Sequence, residues 1–481
     1  MLARIPTSQL DRYTLSSMKI PAAEHCNVQQ AVPLPPVAGA KILWPSGAVV
    51  ALILVLQVLP YAGAVTLAAL TLWACRNTRC ALQATTLSVL LTFANPALVG
   101  DQPLIGLLKW VLLFASLGTV LFGCRYQPGK APKWLGCFVL FMAVAFGLAL
   151  AVSDNRTLSL LKLASFGVGV TVALLGVRDR RYPSQYWLSW FTTVAVVFFV
   201  LSAPLEFVSA GRSLNGWAFQ GILRHPQSYA VYAVPLAVYL TVTFFAESRT
   251  NWILLAVTPW AWYSIFASGC RTALLAVALS SIATAASLAA FPRVKRGSRQ
   301  TVPMLLKICL AGILVSIVLA TSTSALSTEF ANFIEKGDHN GFGASRVVQV
   351  QALLYSINAN LLAGVGFGLG PAGVQQETQR DEFTGLPIGA YTEPGFLPLA
   401  VMAQVGIIGA VPFTLFLCVL GIPVVKHGEP AVVAMFFTAL FVNFGEMIFF
   451  SIGGLGLHMW LLIGACLAAS AANSGKQKRC A

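Results

Sequence analysis

Stretches of about 18 or more nearly uninterrupted apolar residues return along this chain, and a run of that length is what an α-helix needs to cross the hydrocarbon of a bilayer. "ALILVLQVLPYAGAVTLAALTLWA", residues 51 to 74, is one such block. A backbone facing lipid has no water to bond, so each span must close its N–H and C=O groups within itself. The fold class follows: an all-α, polytopic membrane protein. Of 481 residues, 57% are hydrophobic and 10% charged, a balance that a soluble core does not absorb. We read about fourteen transmembrane helices. A segment 1–41 precedes them, eleven spans lie within 42–322, a long loop fills 323–394, three spans lie within 395–472, and a basic tail covers 473–481. Pro60 breaks the first apolar block, which leaves either a hairpin or a single long helix.

A net charge of +15 raises the question of nucleic acid, and its distribution answers it. Taken loop by loop, 22 of the 31 Lys and Arg fall on the side of the N-terminus and seven on the other, while Lys109 and Lys162 fall inside spans. That is the positive-inside bias, and it places both termini in the cytoplasm and the 323–394 loop outside. The basic charge is therefore a topology signal, with no nucleic-acid partner implied. Residues 1–41 are polar and lack the apolar core of a signal peptide. Ten cysteines with no CxxC pair read as small apolar residues, not as a disulfide or zinc framework. The helical pattern of "SRVVQVQALLYSINANLLAGVGFG" predicts an ordered lid within the long loop, and the absence of an internal repeat weighs against a transporter.

The minority cations need a reason. Arg212 and Arg224 flank the 209–227 loop, Arg271 starts the tenth span, and Arg346 sits in the long-loop helix. Lys109 and Lys162 lie one to two turns inside the outer ends of their spans. Intramembrane charge usually faces a protein interior and marks function; the alternative for a lysine is snorkelling to the headgroups. Converging arginines suit a phosphate or pyrophosphate, because the guanidinium fork matches its oxygens and stays charged. Three acids face them: Glu206 at the end of the seventh span, Glu393 where the long loop re-enters the membrane, and Glu446 within the thirteenth span, about one turn from its end. Each is either a general base poised by burial or an ion-pair partner of an arginine. His225, before Pro226, either moves a proton or caps the next helix. Asp381 and Glu382 are adjacent and solvated, so no metal or other cofactor is expected. "GVGFGLG", 364–370, lacks the GxGxxG register and reads as a close-packed backbone turn.

Four segments resemble the O-antigen ligase and polymerase superfamily. "GRSLNGWAFQGILRHPQSYAVYAVPLAVYL" is similar to its outer loop and following helix, and "SGCRTALLAVALS" to its Ser-Arg-(Thr/Gly)-Ala-Leu-Leu helix start. "SRVVQVQALLYSINANLLAGVGFGLG" resembles the long-loop helix with its Gly-x-Gly turn, and "EPGFLPLAVMAQVGIIGAVPF" the closing Glu/Gln-x-Gly-(Leu/Ile)-(Leu/Ile)-Gly segment. They cover residues 211 to about 412 in family order. The resemblance implies a GT-C-like fold in a bacterial inner membrane, with an outer-face site for a polyprenyl-pyrophosphate-linked glycan. It implies a polysaccharide polymerase joining lipid-linked repeat units, with a chain-length regulator as a candidate partner. Arg224 and Arg271, supported by Arg212, would hold the pyrophosphate, and Glu393 or His225 would take the acceptor proton. Ligases of the family carry a histidine shortly before the last motif; here "GAYTEPGFL" has none, and His339 is about fifty residues too early. That departure favours a polymerase over the alternative, a ligase moving the glycan to an acceptor such as lipid A-core. A lipid-linked glycan flippase is the competing reading from a different class.

Overall fold

The computed structural model describes residues 42–59, 61–99, 104–124, 131–214, 216–246, 251–291, 344–370, 378–380, 387–390 and 395–480. Segment 1–41, the expected span at 304–322, His339, Asp381, Glu382 and Glu393 lie outside them. The helices run α1 (Trp44–Leu56), α2 (Ala62–Ala74), α3 (Thr78–Thr92), α4 (Ile105–Gly123), α5 (Lys133–Val152), α6 (Arg156–Gly176), α7 (Gln185–Ser202), α8 (Pro226–Ala246), α9 (Trp252–Ala267) and α10 (Arg271–Ala290). They continue with α11 (Ala344–Ala359), α12 (Leu397–His427), α13 (Pro430–Phe441) and α14 (Leu455–Cys480). Inside the expected long loop, β1 (Thr378–Arg380) and β2 (Pro387–Ala390) pair antiparallel, with Thr378 opposite Ala390. Eight of the described helices are long and apolar enough to cross a membrane, as a multi-pass membrane protein requires.

Local chemistry sets several helix starts. Asn77, Asn155 and Asn251 each precede a helix and accept from its first free N–H groups, at Cys80 (3.0 Å), Leu158 (3.1 Å) and Ile253 (3.2 Å). Gln57 and the residues to Tyr61 separate α1 from α2, and the two pack on different partners, α1 on α7 and α2 on α3 and α4. The centre of the bundle is α8 and α14, whose most apolar windows are 83% buried, against 22% for the peripheral α4.

Two segments expected as plain spans are not. The span expected at 395–424 is α12, broken at Gly406 (φ 57°, ψ −169°). The span expected at 431–450 stops early: α13 ends at Phe441 and a 3₁₀ turn carries it to Phe444. Asn443 explains the stop. Its Nδ2 donates to Ala439 O (3.0 Å), and its Oδ1 accepts from Ile448 N (3.0 Å) and Phe449 N (2.9 Å), so the side chain replaces the helical ladder with a folded connection. Glu446 therefore lies in that connection, buried, and not within a helix.

The connections sort into two ends. At one, here the near end, the residues between α3 and α4, α5 and α6, α7 and α8, α9 and α10, and α13 and α14 meet the stretch before α12. Phe219 N donates to Ala267 O (2.9 Å), Asn95 N to Ile222 O (2.9 Å) and Ser159 Oγ to Phe367 O (3.0 Å). At the far end Arg181 donates to Gly123 O (2.7 Å), Tyr182 to Asn77 Oδ1 (3.3 Å) and Asn473 to His427 O (3.2 Å). The α3–α4, α5–α6, α7–α8, α9–α10 and α13–α14 connections, which the charge census gave to the minority side, are all at the near end.

Candidate functional site

The α7–α8 connection is a built structure. After α7 the chain tightens into 3₁₀ turns at Ala203–Phe207 and Ser209–Arg212. Asn95, fully buried, donates to Ala210 O (2.7 Å) and Gly221 O (2.9 Å), and Gln220 donates to Ser213 Oγ (2.9 Å) while accepting from Leu214 N (3.1 Å). Gly211 is obligatory, since a Cβ there would stand 2.0 Å from Leu205 O. Arg212 turns back into this loop. It forms an ion pair with Glu206 and donates to Trp217 O, and Tyr263 donates to the same Glu206 oxygen (3.0 Å). Glu206 Oε2 is buried and has no hydrogen-bond partner among the described residues, beside a shallow hollow of about 450 Å³ that Arg212, Ser213 and Gly216 also line. Arg212 and Glu206 thus take each other as partners.

Arg224 stands apart from that pair. Its N–H donates to Phe93 O (2.8 Å), and its exposed guanidinium lies 4.5 Å over the centre of the Phe93 ring. His225 follows, and its Nδ1 accepts from Gln227 N (3.1 Å), capping α8 ahead of Pro226 at the first helical position. A nitrogen that accepts carries no proton, so in the neutral ring the proton sits on Nε2. In that tautomer Nε2 can donate but cannot take a proton.

Arg271 is the first residue of α10, half-buried. Gly269, at φ 66°, lies against the Trp217 ring, with a Cβ position 2.8 Å from it, which joins this helix start to the α7–α8 loop. Thr272 crowds Gly445, so the start of α10 also touches the connection that holds Glu446. Gln404 of α12 reaches the same connection at Met447 Sδ (3.8 Å).

The glycine-rich stretch fills the break in α12. Val365 N donates to Ala403 O (2.9 Å) and Gly366 N to Gln404 O (2.9 Å); Ile407 N donates to Leu361 O (3.0 Å) and Ile408 N to Leu362 O (3.1 Å). Groups freed by the kink are thereby paired, the condition for non-helical backbone inside a membrane bundle. Gly364, Gly366 and Gly368 adopt φ of 70°, 117° and 72°. Gly368 N donates to Gln404 Oε1 (2.9 Å), and Lys162 Nζ donates to Gly368 O (2.6 Å). Lys162 turns into the protein; the polar chemistry of the inserted turn explains why it does not snorkel. Phe367 and Phe450, 4.6 Å apart at the ring centres, tie the turn and the α13–α14 connection to Phe166 and Phe413.

Of the residues singled out from sequence, Arg224, Lys109, Arg271, Glu446, Arg212 and Glu206 gather at the near end. Glu393 lies outside the described residues, and Arg346 belongs to the first turn of α11. Asn95 and Asn443, which shape the site, carried no motif, and a buried amide between apolar runs was the available signal; Gln220 and Gln404 lay in the family-like segments, Gln404 opening "QVGIIG", but were not singled out. Among the described residues no three His, Cys, Asp or Glu side chains come together as a metal site would need. No protein-family model matches the chain, and no curated protein matches it in sequence.

Proposed function

We propose that this chain is a polysaccharide polymerase of the bacterial inner membrane, GT-C-like in fold, joining polyprenyl-pyrophosphate-linked oligosaccharide units at its outer face. One observation carries the reading: four segments scattered over residues 211 to 413 come together in two pairs at a single end of the bundle, bridged by the Glu446 connection. Trp217 lies on Gly269, the turn at Gly364–Gly368 enters the break at Gly406, and the Glu446 connection touches both groups through Thr272 and Gln404. The near end faces outward on the positive-inside reading, with 22 cations on the opposite side.

The donor brings its own leaving group. Arg224 and Arg271 hold the pyrophosphate and stabilise the charge that grows as the glycosidic C–O bond breaks. A hydroxyl oxygen of a second lipid-linked unit attacks the anomeric carbon; the pyrophosphate departs with the electron pair, and the hydroxyl proton passes to a carboxylate. Glu393 is that base in our reading, because His225 spends Nδ1 on the α8 cap. Arg212 supports the loop through Glu206 and does not touch phosphate. Arg→Lys keeps charge but loses the fork. Arg224→Lys and Arg271→Lys should each abolish or strongly reduce polymer with the protein still in the membrane, and Glu393→Gln should stop polymer while lipid-linked substrate still binds. Wild-type polymer from both arginine variants would remove the clamp.

A further inference from the structure

Lys109 and Arg224 approach one another at the near end through Phe93 and Gly453–Gly454, with no acid between them among the described residues. Lys109 Nζ donates to Gly453 O (2.7 Å), the Phe93 ring touches the Cβ position of the next residue, Gly454, at 3.3 Å, and Arg224 lies on that same ring. The two cations are close enough to repel one another, and among the described residues neither forms an ion pair. Lys109 gives one of its three N–H donors to Gly453 O and stands 5.5 Å from the centre of the Trp110 ring, and the Arg224 guanidinium lies on Phe93 with no side-chain hydrogen bond from its N–H edge among the described residues. Three helices also begin here: α4 four residues before Lys109, α8 two residues after Arg224, and α14 two residues after Gly453. Each brings partial positive charge in its first turn. Two like charges and three helix N-termini, that of α8 capped in part by His225, make this place suited to an anion.

We propose that Lys109 and Arg224 together bind one phosphate group, so that Lys109 joins the Arg224 and Arg271 clamp in the supporting place that the resemblance gave to Arg212. The inference rests on the proposed function only for the identity of the anion, the pyrophosphate of the lipid-linked donor; a free phosphate or pyrophosphate shares its chemistry. Lys109 is a binding residue in this account and its contact to Gly453 O holds it in position.

The test is ligand-dependent thermal stability of the purified, detergent-solubilised protein, read as the rise in unfolding midpoint against the concentration of sodium pyrophosphate, of farnesyl pyrophosphate, and of sodium chloride at matched ionic strength. The wild type should be stabilised saturably by a pyrophosphate and not by chloride. Lys109→Met should weaken that binding about tenfold or more, as loss of a charge-assisted contact does. Arg224→Gln should do the same, and the double variant little more than either. Equal response to both pyrophosphates assigns the seat to phosphate from either source; response to the farnesyl compound alone assigns it to a lipid headgroup. A Lys109→Met protein with a lower ligand-free midpoint but unchanged affinity makes Lys109 a pin for Gly453 and overturns the proposal, as does a wild type that no pyrophosphate stabilises at millimolar concentration. Where Lys109→Met does not accumulate, Arg224→Gln, at an exposed side chain, decides alone. A protein that binds pyrophosphate through Lys109 yet leaves cellular lipid-linked glycans unchanged when deleted keeps the seat and removes the polymerase reading. A polymerase whose affinity ignores Lys109 does the reverse.

Discussion

Gly406→Ala is the sharpest test of how the inserted turn and the broken helix hold each other. At φ 57° and ψ −169° Gly406 occupies backbone space that only glycine enters freely. A Cβ there would stand 2.1 Å from Leu362 O and 2.3 Å from Leu362 C, backbone atoms that cannot swing aside. Backbone strain of about 1–3 kcal/mol adds to the hydrogen bonds that the displaced segment forfeits. Four of these cross the break, and losing two at about 1 kcal/mol each brings the total to about 3–5 kcal/mol. Gly364→Ala should behave alike, because its Cβ would meet Gln404 C at 2.4 Å from the other side. Gly147 of α5 has no atom of the described residues within 4 Å of its Cβ position and serves as the control. Gly147→Ala should be neutral or stabilise by up to about 1 kcal/mol. The assay is the unfolding midpoint of the detergent-solubilised protein followed by tryptophan fluorescence. A Gly406→Ala protein as stable as the Gly147→Ala control would refute the docking of residues 361–366 into α12.

Three other substitutions separate structural from chemical roles. His225→Asn should keep both stability and polymer, since Asn is a preferred cap, while His225→Ala should cost about 1 kcal/mol in the same unfolding assay; loss of polymer from His225→Asn would return the base role to the histidine. Lys162→Ala leaves Gly368 O without its donor and should lower stability by about 1–3 kcal/mol, an effect that a snorkelling lysine would not show. At the far end burial alone would raise the Asp179 carboxyl, but hydrogen bonds from Arg181 and from Thr78 outweigh it and hold the group below its usual range. Its stabilisation is therefore full above the ordinary carboxylate pKa of about 3.9 and is lost as pH falls through the lowered native value. Asp179→Asn should flatten that acid limb in a pH series of unfolding midpoints; an unchanged limb would show that the pair contributes nothing.

The helices and the sorting of their connections were legible because hydropathy and charge act along the chain. Runs such as 134–152 and 157–177 reappear as α5 and α6 within a residue or two, and the connections with few cations do collect at one end. What apolar runs conceal is where a helix stops inside protein. "FVNFGEMIFF" is as greasy as a span, yet the side chain of Asn443 ends α13 and places Glu446 in a connection. The break at Gly406 was equally hidden, since the groups that satisfy it come from residues 361–366, some forty positions earlier. Arg212 and Arg224 look alike in sequence, and only the 3₁₀ turns beyond α7 fold one of them onto Glu206. The close-packed turn expected of "GVGFGLG" was readable from its glycines; its docking partner was not.

The central claim, polymerisation of lipid-linked repeat units, is tested most directly by the lipid-linked glycans of a strain lacking this chain, extracted and sized beside those of the parent. The account predicts that single repeat units on polyprenyl pyrophosphate accumulate at the outer face and that polymer disappears. Full-length polymer retained on the lipid would make the chain a ligase, and units trapped at the cytoplasmic face would make it a flippase; either result contradicts the account.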